Sequence, residues 1–122
     1  MKEFSYLDPS GFRLALLDRG TGLELIGFGP RGGERGSLRI HDREHLLRLA
    51  EAIAHHAHGP RPAAPRSFGL PGLSGLRGIA GIRARSPERV DWLWIDGGRQ
   101  AIELWPEEAL AEIAAGLRDA AA

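Results

Sequence analysis

Two segments of the chain repeat apolar residues at the spacing of an amphipathic α-helix. The first runs from Asp42 to about His58, and the second runs from Pro106 to about Ala121. Apolar residues recur in both at intervals of three and four, which places them on one side of a helix: Leu46, Leu49, Ala50, Ile53 and Ala57 in the first, and Leu110, Ile113, Ala114 and Leu117 in the second. We therefore predict one helix in each half of the chain.

Short segments with the character of β-strands precede each predicted helix. In the first half they are Phe4–Leu7, Phe12–Asp18, Leu23–Phe28 and a last strand that includes Leu38 and Ile40. In the second half they are Gly78–Arg85, Val90–Asp96 and a strand that begins near Ala101. Turn-forming residues such as Asp8-Pro9-Ser10-Gly11 and Gly20-Thr21-Gly22 separate them. This pattern predicts antiparallel hairpins followed by a helix, twice.

The two halves align without gaps where the last strand enters the helix. Ser37–Ile53 aligns with Ala101–Leu117. The shared strand-to-helix pattern predicts an internal repeat of roughly 64 residues. Residues 1–58 then form the first repeat and residues 76–122 the second, with the Pro/Gly-rich residues 59–75 as an extended connector. The predicted fold is α+β: two strand-rich repeats, each ending in one amphipathic helix, with a curved antiparallel sheet and the helices on one face.

The composition narrows the function classes. The chain has 122 residues, of which 43% are hydrophobic and 26% are charged. These fractions are those of an ordinary globular domain. The absence of cysteine excludes disulfides and thiolate metal sites, and no apolar run near the start is long enough for a signal peptide. We expect a cytoplasmic protein that does not enter membranes. The formal net charge is zero, so no overall field attracts nucleic acid.

The predicted pairing of the second-half strands assigns their side chains to two faces of the sheet, because side chains alternate along a strand. With a four-residue loop at Ser86–Arg89 and a two-residue loop at Gly97-Gly98, Arg83 is opposite Trp92. One face is apolar and is expected to lie under the second helix: Ile82, Ala84, Leu93, Ile95, Ile102 and Leu104. The other face mixes arginine and tryptophan: Arg83, Arg85, Val90, Trp92, Trp94, Glu103 and Trp105. A corresponding first-half face holds Arg13, Ala15, Leu17, Ile26, Phe28 and Arg39.

The mixed face has two interpretations. Aromatic rings can stack on bases while arginines contact phosphates, which is typical of proteins that bind single-stranded nucleic acid. The candidate binding residues are then Arg83, Arg85, Trp92, Trp94, Arg13, Phe28 and Arg39. Indole rings also favour burial, so the same face also suits packing against the other half of the chain, another protein or a second copy of the chain.

The doubled unit of strands followed by a helix, with its aromatic and basic sheet face, resembles the group formed by PUR repeats, Whirly proteins and related transcriptional coactivators. The resemblance is most evident in Gly32–Ile53, where glycines, alternating apolar residues and an amphipathic helix follow one another. It implies a single-strand-binding function in which sheet aromatics and basic residues hold the strand. By position, Arg83, Arg85, Trp92 and Trp94 would have that role.

Two short motifs suggest other chemistry. His41-Asp42-Arg43-Glu44-His45 matches H-x-x-E-H, a zinc-protease signature that requires both histidines on one helix face. His41 lies at or before the predicted helix start, so the motif does not predict a zinc site. We expect no catalytic residues, metal or cofactor. Gly27–Gly32 matches G-x-G-x-x-G, but a strand rather than a helix follows, which predicts a hairpin loop instead of a dinucleotide site. Arg31 and Arg35 project from that loop and could flank a ligand.

Overall fold

The computed structural model describes the backbone of residues 1–9, 11–20, 22–57, 66–70, 73, 76–85, 88–96, 101–104 and 107–122. Side chains are described within these ranges except at residues 57, 68, 79–85, 88–94, 96, 101–104, 107 and 108.

A four-stranded antiparallel sheet, sheet A, occupies the first part of the chain. Its strands follow one another in the order β1-β2-β3-β4 and comprise β1 (Phe4–Leu7), β2 (Arg13–Asp18), β3 (Leu23–Phe28) and β4 (Glu34–Ile40). Alternate residues point to opposite faces. Leu14, Leu16, Leu25 and Leu38 share the inner face and are buried. The predicted strand positions are confirmed.

A second group of four strands, sheet B, pairs in the order β5-β6-β7-β8. Its strands are β5 (Arg66–Gly69), β6 (Arg77–Arg85), β7 (Glu88–Asp96) and β8 (Ala101–Leu104). Strand β5 was not predicted, since it lies within the segment interpreted as a connector. It pairs with β6 through backbone groups, a contact that the proline and glycine content of the segment did not indicate.

The register of sheet B differs from the pairing predicted from the sequence by two residues at each hairpin. Arg85 pairs with Glu88, so only residues 86 and 87 separate β6 from β7. Asp96 pairs with Ala101, so four residues rather than two separate β7 from β8. Arg83 is consequently opposite Val90, not Trp92. A shift of two residues keeps every residue on its face, and the predicted division into two faces is therefore unchanged.

Strands β6 and β7 extend past the described ends of their neighbours. Ala80 pairs with both Arg66 of β5 and Leu93 of β7, and Leu93 pairs with Leu104, the last described residue of β8. Beyond this level, residues 81–85 and 88–92 pair only with each other among the described strands. We call this two-stranded extension the β6–β7 arm.

The two predicted helices are present, as α1 (Arg43–Ala57) and α2 (Glu107–Ala121). Helix α1 begins after Asp42, whose Oδ1 accepts a 2.8 Å hydrogen bond from the N–H of His45. This is the arrangement of an N-cap. Each helix has 15 residues. Within the described residues, no helix combines the length and apolar character that crossing a membrane requires.

The helices pack against each other, and their apolar sides share one core with the inner face of sheet A. Helix α2 also packs against β1, the outermost strand of sheet A. Its C-terminal carbonyls are held by two groups from the first half of the chain: the N–H of Lys2 donates to the oxygen of Ala120 at 2.7 Å, and Nε of Arg43 donates to that of Ala121. The second helix therefore packs against β1 and α1 of the first half, a placement that the sequence did not indicate.

Candidate nucleic-acid interface

The candidate residues divide into a group on sheet B and a group on sheet A. The side chains of Arg83, Arg85, Trp92 and Trp94 lie outside the described part of the structure, so their role stays a prediction. Their backbone positions are described. Arg83, Arg85 and Trp92 belong to the β6–β7 arm, whereas Trp94 lies within the four-stranded part, opposite Glu103.

Arg13 and Phe28 form a pair on the outer face of sheet A, the face opposite the core. They are direct partners in the register of β2 and β3. The Arg13 guanidinium carbon lies 5.3 Å from the centre of the Phe28 ring. This distance is within the range of a cation–π interaction. Nε of Arg13 also donates a 3.3 Å hydrogen bond to Oγ of Ser5. Contacts with two neighbouring strands thus orient an exposed guanidinium.

Leu7 extends this pair to the edge of the sheet. It is the register partner of Arg13 on β1, and 66% of its surface is exposed. A large apolar side chain, a cation and an aromatic ring therefore lie side by side at one end of the outer face. The sequence pattern had identified Arg13 and Phe28 but not Leu7, which alternation along β1 would have placed on the same face.

Arg39 lies on the same outer face but not beside Arg13 and Phe28. Its register partner is Glu24, four residues from Phe28 along β3. At the usual rise per strand residue, this separates the two backbone positions by about 13 Å. The three predicted residues of sheet A thus form one close pair and one distant cation.

The centre of the outer face is covered rather than open. Ala15 and Ile26 are fully buried although they lie on the face opposite the core. The same face has an ionic bridge, in which the Arg19 guanidinium contacts both Glu24, at 3.9 Å, and Glu34. Glu24 lies two residues before Ile26 on β3, and Glu34 is the register partner of Phe28 on β4. The hydrogen bond that Arg19 donates to the carboxylate of Glu34 raises the pKa of Arg19.

Two loops meet at the Arg13–Phe28 end of the sheet. The β1–β2 turn is closed by Asp8, whose Oδ1 accepts a 3.0 Å hydrogen bond from the N–H of Phe12. Gly11 of this turn has a φ of 93° and approaches the β3–β4 loop so closely that an added Cβ would lie 3.3 Å from Cβ of Pro30. The β3–β4 loop forms an open depression of about 530 Å³ whose charged lining is Arg31, Glu34 and Arg35.

The histidines of the H-x-x-E-H motif are hydrogen-bonded to each other at the start of helix α1. His41 precedes helix α1, and its N–H donates a 3.3 Å hydrogen bond to Nδ1 of His45. Burial and the neighbouring His41 lower the pKa of His45, in agreement with Nδ1 acting as an acceptor. The two residues therefore do not project from one helical face, as the zinc motif requires. Among the described residues, no group of three or more metal-binding side chains is close enough to hold an ion.

The G-x-G-x-x-G segment is a hairpin loop, as predicted. Gly27 belongs to β3, and β4 begins at Glu34, so no helix starts at the glycines.

Comparison with known proteins gives no family assignment. No family model matches the chain, and no curated protein matches it.

Proposed function

We propose that the chain is a non-catalytic module that binds single-stranded nucleic acid through the outer faces of its strands. The observation that supports this function best is the pair of an exposed Arg13 and a half-buried Phe28, with the guanidinium carbon 5.3 Å from the ring centre. Base stacking on aromatic rings and on guanidinium planes is the common mode of sequence-tolerant single-strand recognition.

The geometry of the pair suggests how a base would bind. Phe28 supports one side of the guanidinium, and Ser5 accepts a hydrogen bond from its Nε. A base stacks on the side of the guanidinium that is turned away from Phe28. The remaining N–H groups are available to a backbone phosphate, since arginine donates in a planar fork. Leu7 supplies apolar surface next to the base.

The finer architecture, two repeats with one helix each, belongs to the same proposal. Corresponding positions run across the two sheets: Phe4, Leu16, Leu25 and Leu38 pair in sequence across sheet A, and Phe68, Gly78, Ile95 and Ile102 do so across sheet B. Both ladders start with phenylalanine and end in the strand that precedes a helix. This correspondence supports the resemblance to the PUR-repeat and Whirly group, in which the second repeat would add Arg83, Arg85, Trp92 and Trp94.

The test is a titration of fluorescently labelled oligo-dT followed by anisotropy at low and moderate salt. We expect saturable binding that weakens as salt rises, because phosphate contacts release counterions. Phe28→Leu and Arg13→Met should each weaken binding by about 5-fold to 100-fold, in line with about 1–3 kcal/mol per stacked base. Arg118→Gln, which removes an exposed arginine from α2, is the matched control for loss of one charge.

Absence of binding at low salt contradicts the proposal, because electrostatic attraction is strongest there. Equal binding by the wild type and by both outer-face variants also contradicts it, since the strand would then lie elsewhere.

A protein-interaction or homo-oligomeric assembly domain is the second candidate. The specific observation in its favour is the exposure of Leu7, a large apolar side chain at the edge of the outer face of which 66% is exposed. Burying this side chain against a partner would remove apolar surface from water, which is favourable. If the chain forms such an oligomer, Leu7→Arg or Trp92→Arg should reduce the mass of the particle measured by light scattering. Oligo-dT should then not bind.

A further inference from the structure

We infer that the β3–β4 loop of sheet A is a site for a phosphate monoester, so that the module anchors the phosphorylated end of a single strand. The inference rests on the proposed single-strand function and adds to it a ligand group and a place. The site is the depression between Gly29 and Arg35, next to Phe28 in the chain.

The loop has a defined backbone path that brings two arginines together. The N–H of Gly29 donates to the oxygen of Gly33 at 2.9 Å, and the N–H of Gly32 donates to the oxygen of Gly29 at 2.9 Å. Gly29 is buried beneath Arg35: an added Cβ would lie 2.6 Å from Nε of that arginine. The Arg35 side chain therefore lies along the loop, and Arg31 is exposed at the same depression.

The charge of the depression favours a doubly charged group. Its arginines, Arg31 and Arg35, face one carboxylate, that of Glu34, which is already engaged by Arg19. A phosphate monoester has a charge of about −1.5 to −2 at neutral pH, whereas each internal phosphodiester has one negative charge. Two arginines at one place therefore discriminate in favour of a terminal phosphate, and a planar guanidinium can bind it through two hydrogen bonds.

The β3–β4 loop places the phosphate site next to the Arg13–Phe28 pair. Phe28 is the last residue of β3, and its register partner Glu34 directly precedes Arg35. The depression is thus adjacent to the Arg13–Phe28 pair, at the end of the sheet rather than along it. A strand that enters from this end meets the two loop arginines first and the Arg13 guanidinium next.

The test compares labelled oligo-dT with a 5′-phosphate, a 3′-phosphate or hydroxyls at both ends, on the full chain. We expect one of the phosphorylated forms to bind at least 5-fold more tightly than the hydroxyl form. Arg31→Gln should abolish this preference, so that the variant binds the phosphorylated form and the hydroxyl form with equal affinity. Arg35→Gln should do the same, and Arg118→Gln should preserve the preference. Thermal unfolding of each variant establishes that the fold is retained.

The outcomes separate the inference from the function on which it rests. Equal binding of all three oligonucleotides overturns the phosphate site and leaves single-strand binding intact. A preference that survives in both Arg31→Gln and Arg35→Gln likewise overturns it. If no oligonucleotide binds, the proposed function fails. Thymidine 5′-monophosphate is then titrated alone: binding that Arg31→Gln removes supports a site for a free nucleotide, and no binding overturns the inference.

Discussion

The ring of Phe4 in β1 lies directly against Gly116 of α2. A Cβ at position 116 would lie within 2.6 Å of three ring carbons, closer than real Cβ contacts allow. Glycine in a helix interior normally destabilises it relative to alanine, by about 1 kcal/mol. Here the missing side chain lets the first strand and the last helix pack in contact. Strand β1 and helix α2, which are far apart in the sequence, are in contact at this point.

We expect Gly116→Ala to lower the free energy of unfolding by about 1–3 kcal/mol, because an overpacked core must move either the ring or the helix. Urea unfolding followed by circular dichroism measures the change. Gly33→Ala is the control, since an added Cβ there meets nothing within 4 Å. Combining Gly116→Ala with Phe4→Leu should recover part of the loss. A more stable Gly116→Ala protein would mean that helix propensity outweighs the contact.

Asp8 is the buried polar residue that closes the β1–β2 turn beside the phosphate site. Its Oδ1 accepts the N–H of Phe12, so Asp8→Ala leaves a buried donor without its partner. We expect a loss of about 1–3 kcal/mol in the free energy of unfolding. Asp8→Asn retains an acceptor oxygen and should be milder. Similar losses in both variants would show that the carboxylate charge, rather than this hydrogen bond, is what matters.

The stability of the protein should depend on the protonation of His45. Its pKa is lowered in the folded state, whereas in the unfolded chain it is near 6.5. Between these two values the unfolded chain binds more protons, so stability is full above about pH 6.5 and decreases as the pH falls below it. His45→Gln keeps a side-chain acceptor at this helix position but does not titrate.

The measurement for His45 is the melting temperature between pH 5 and pH 8. We expect a smaller decrease at low pH in His45→Gln than in the wild type. His55→Gln, which changes an exposed histidine at the other end of α1, should follow the wild type. Parallel curves for all three proteins would remove His45 as the cause.

Glu34 connects the ionic bridge on the outer face with the phosphate site. Glu34→Gln removes the carboxylate from the depression and leaves the charge of Arg19 uncompensated at this position. We expect tighter binding of phosphorylated oligo-dT, by about 2-fold to 10-fold at low salt, and a smaller gain as salt rises. The melting temperature should change little, because the ion pair of Glu34 with Arg19 is exposed.

The control for Glu34 is Glu112→Gln, which makes the same charge change at an exposed position of α2. An equal gain in both variants would indicate a response to net charge alone. Weaker binding by Glu34→Gln would contradict the assignment of the depression.

The sequence determined both helices and the strands of sheet A. Helices α1 and α2 lie within two residues of the predicted limits, because helical periodicity is a local property of consecutive side chains. The predicted register of β6 and β7 was wrong by two residues. An error of two residues preserves alternation, so the predicted faces of Arg83 and Trp92 stay a prediction. Arg13 and Phe28 were placed on one face for the same reason, and the structure brings them together.

Tertiary structure decided everything that depends on distant segments. Strand β5 forms because β6 offers it a partner, and its own sequence has no strand signal strong enough to reveal it. The bridge from Arg19 to Glu34 joins the end of β2 to the start of β4, across the strand that lies between them. The contact of Phe4 with Gly116 joins residues at opposite ends of the chain. Local patterns contain no information on such pairs, because each contact depends on how whole elements pack.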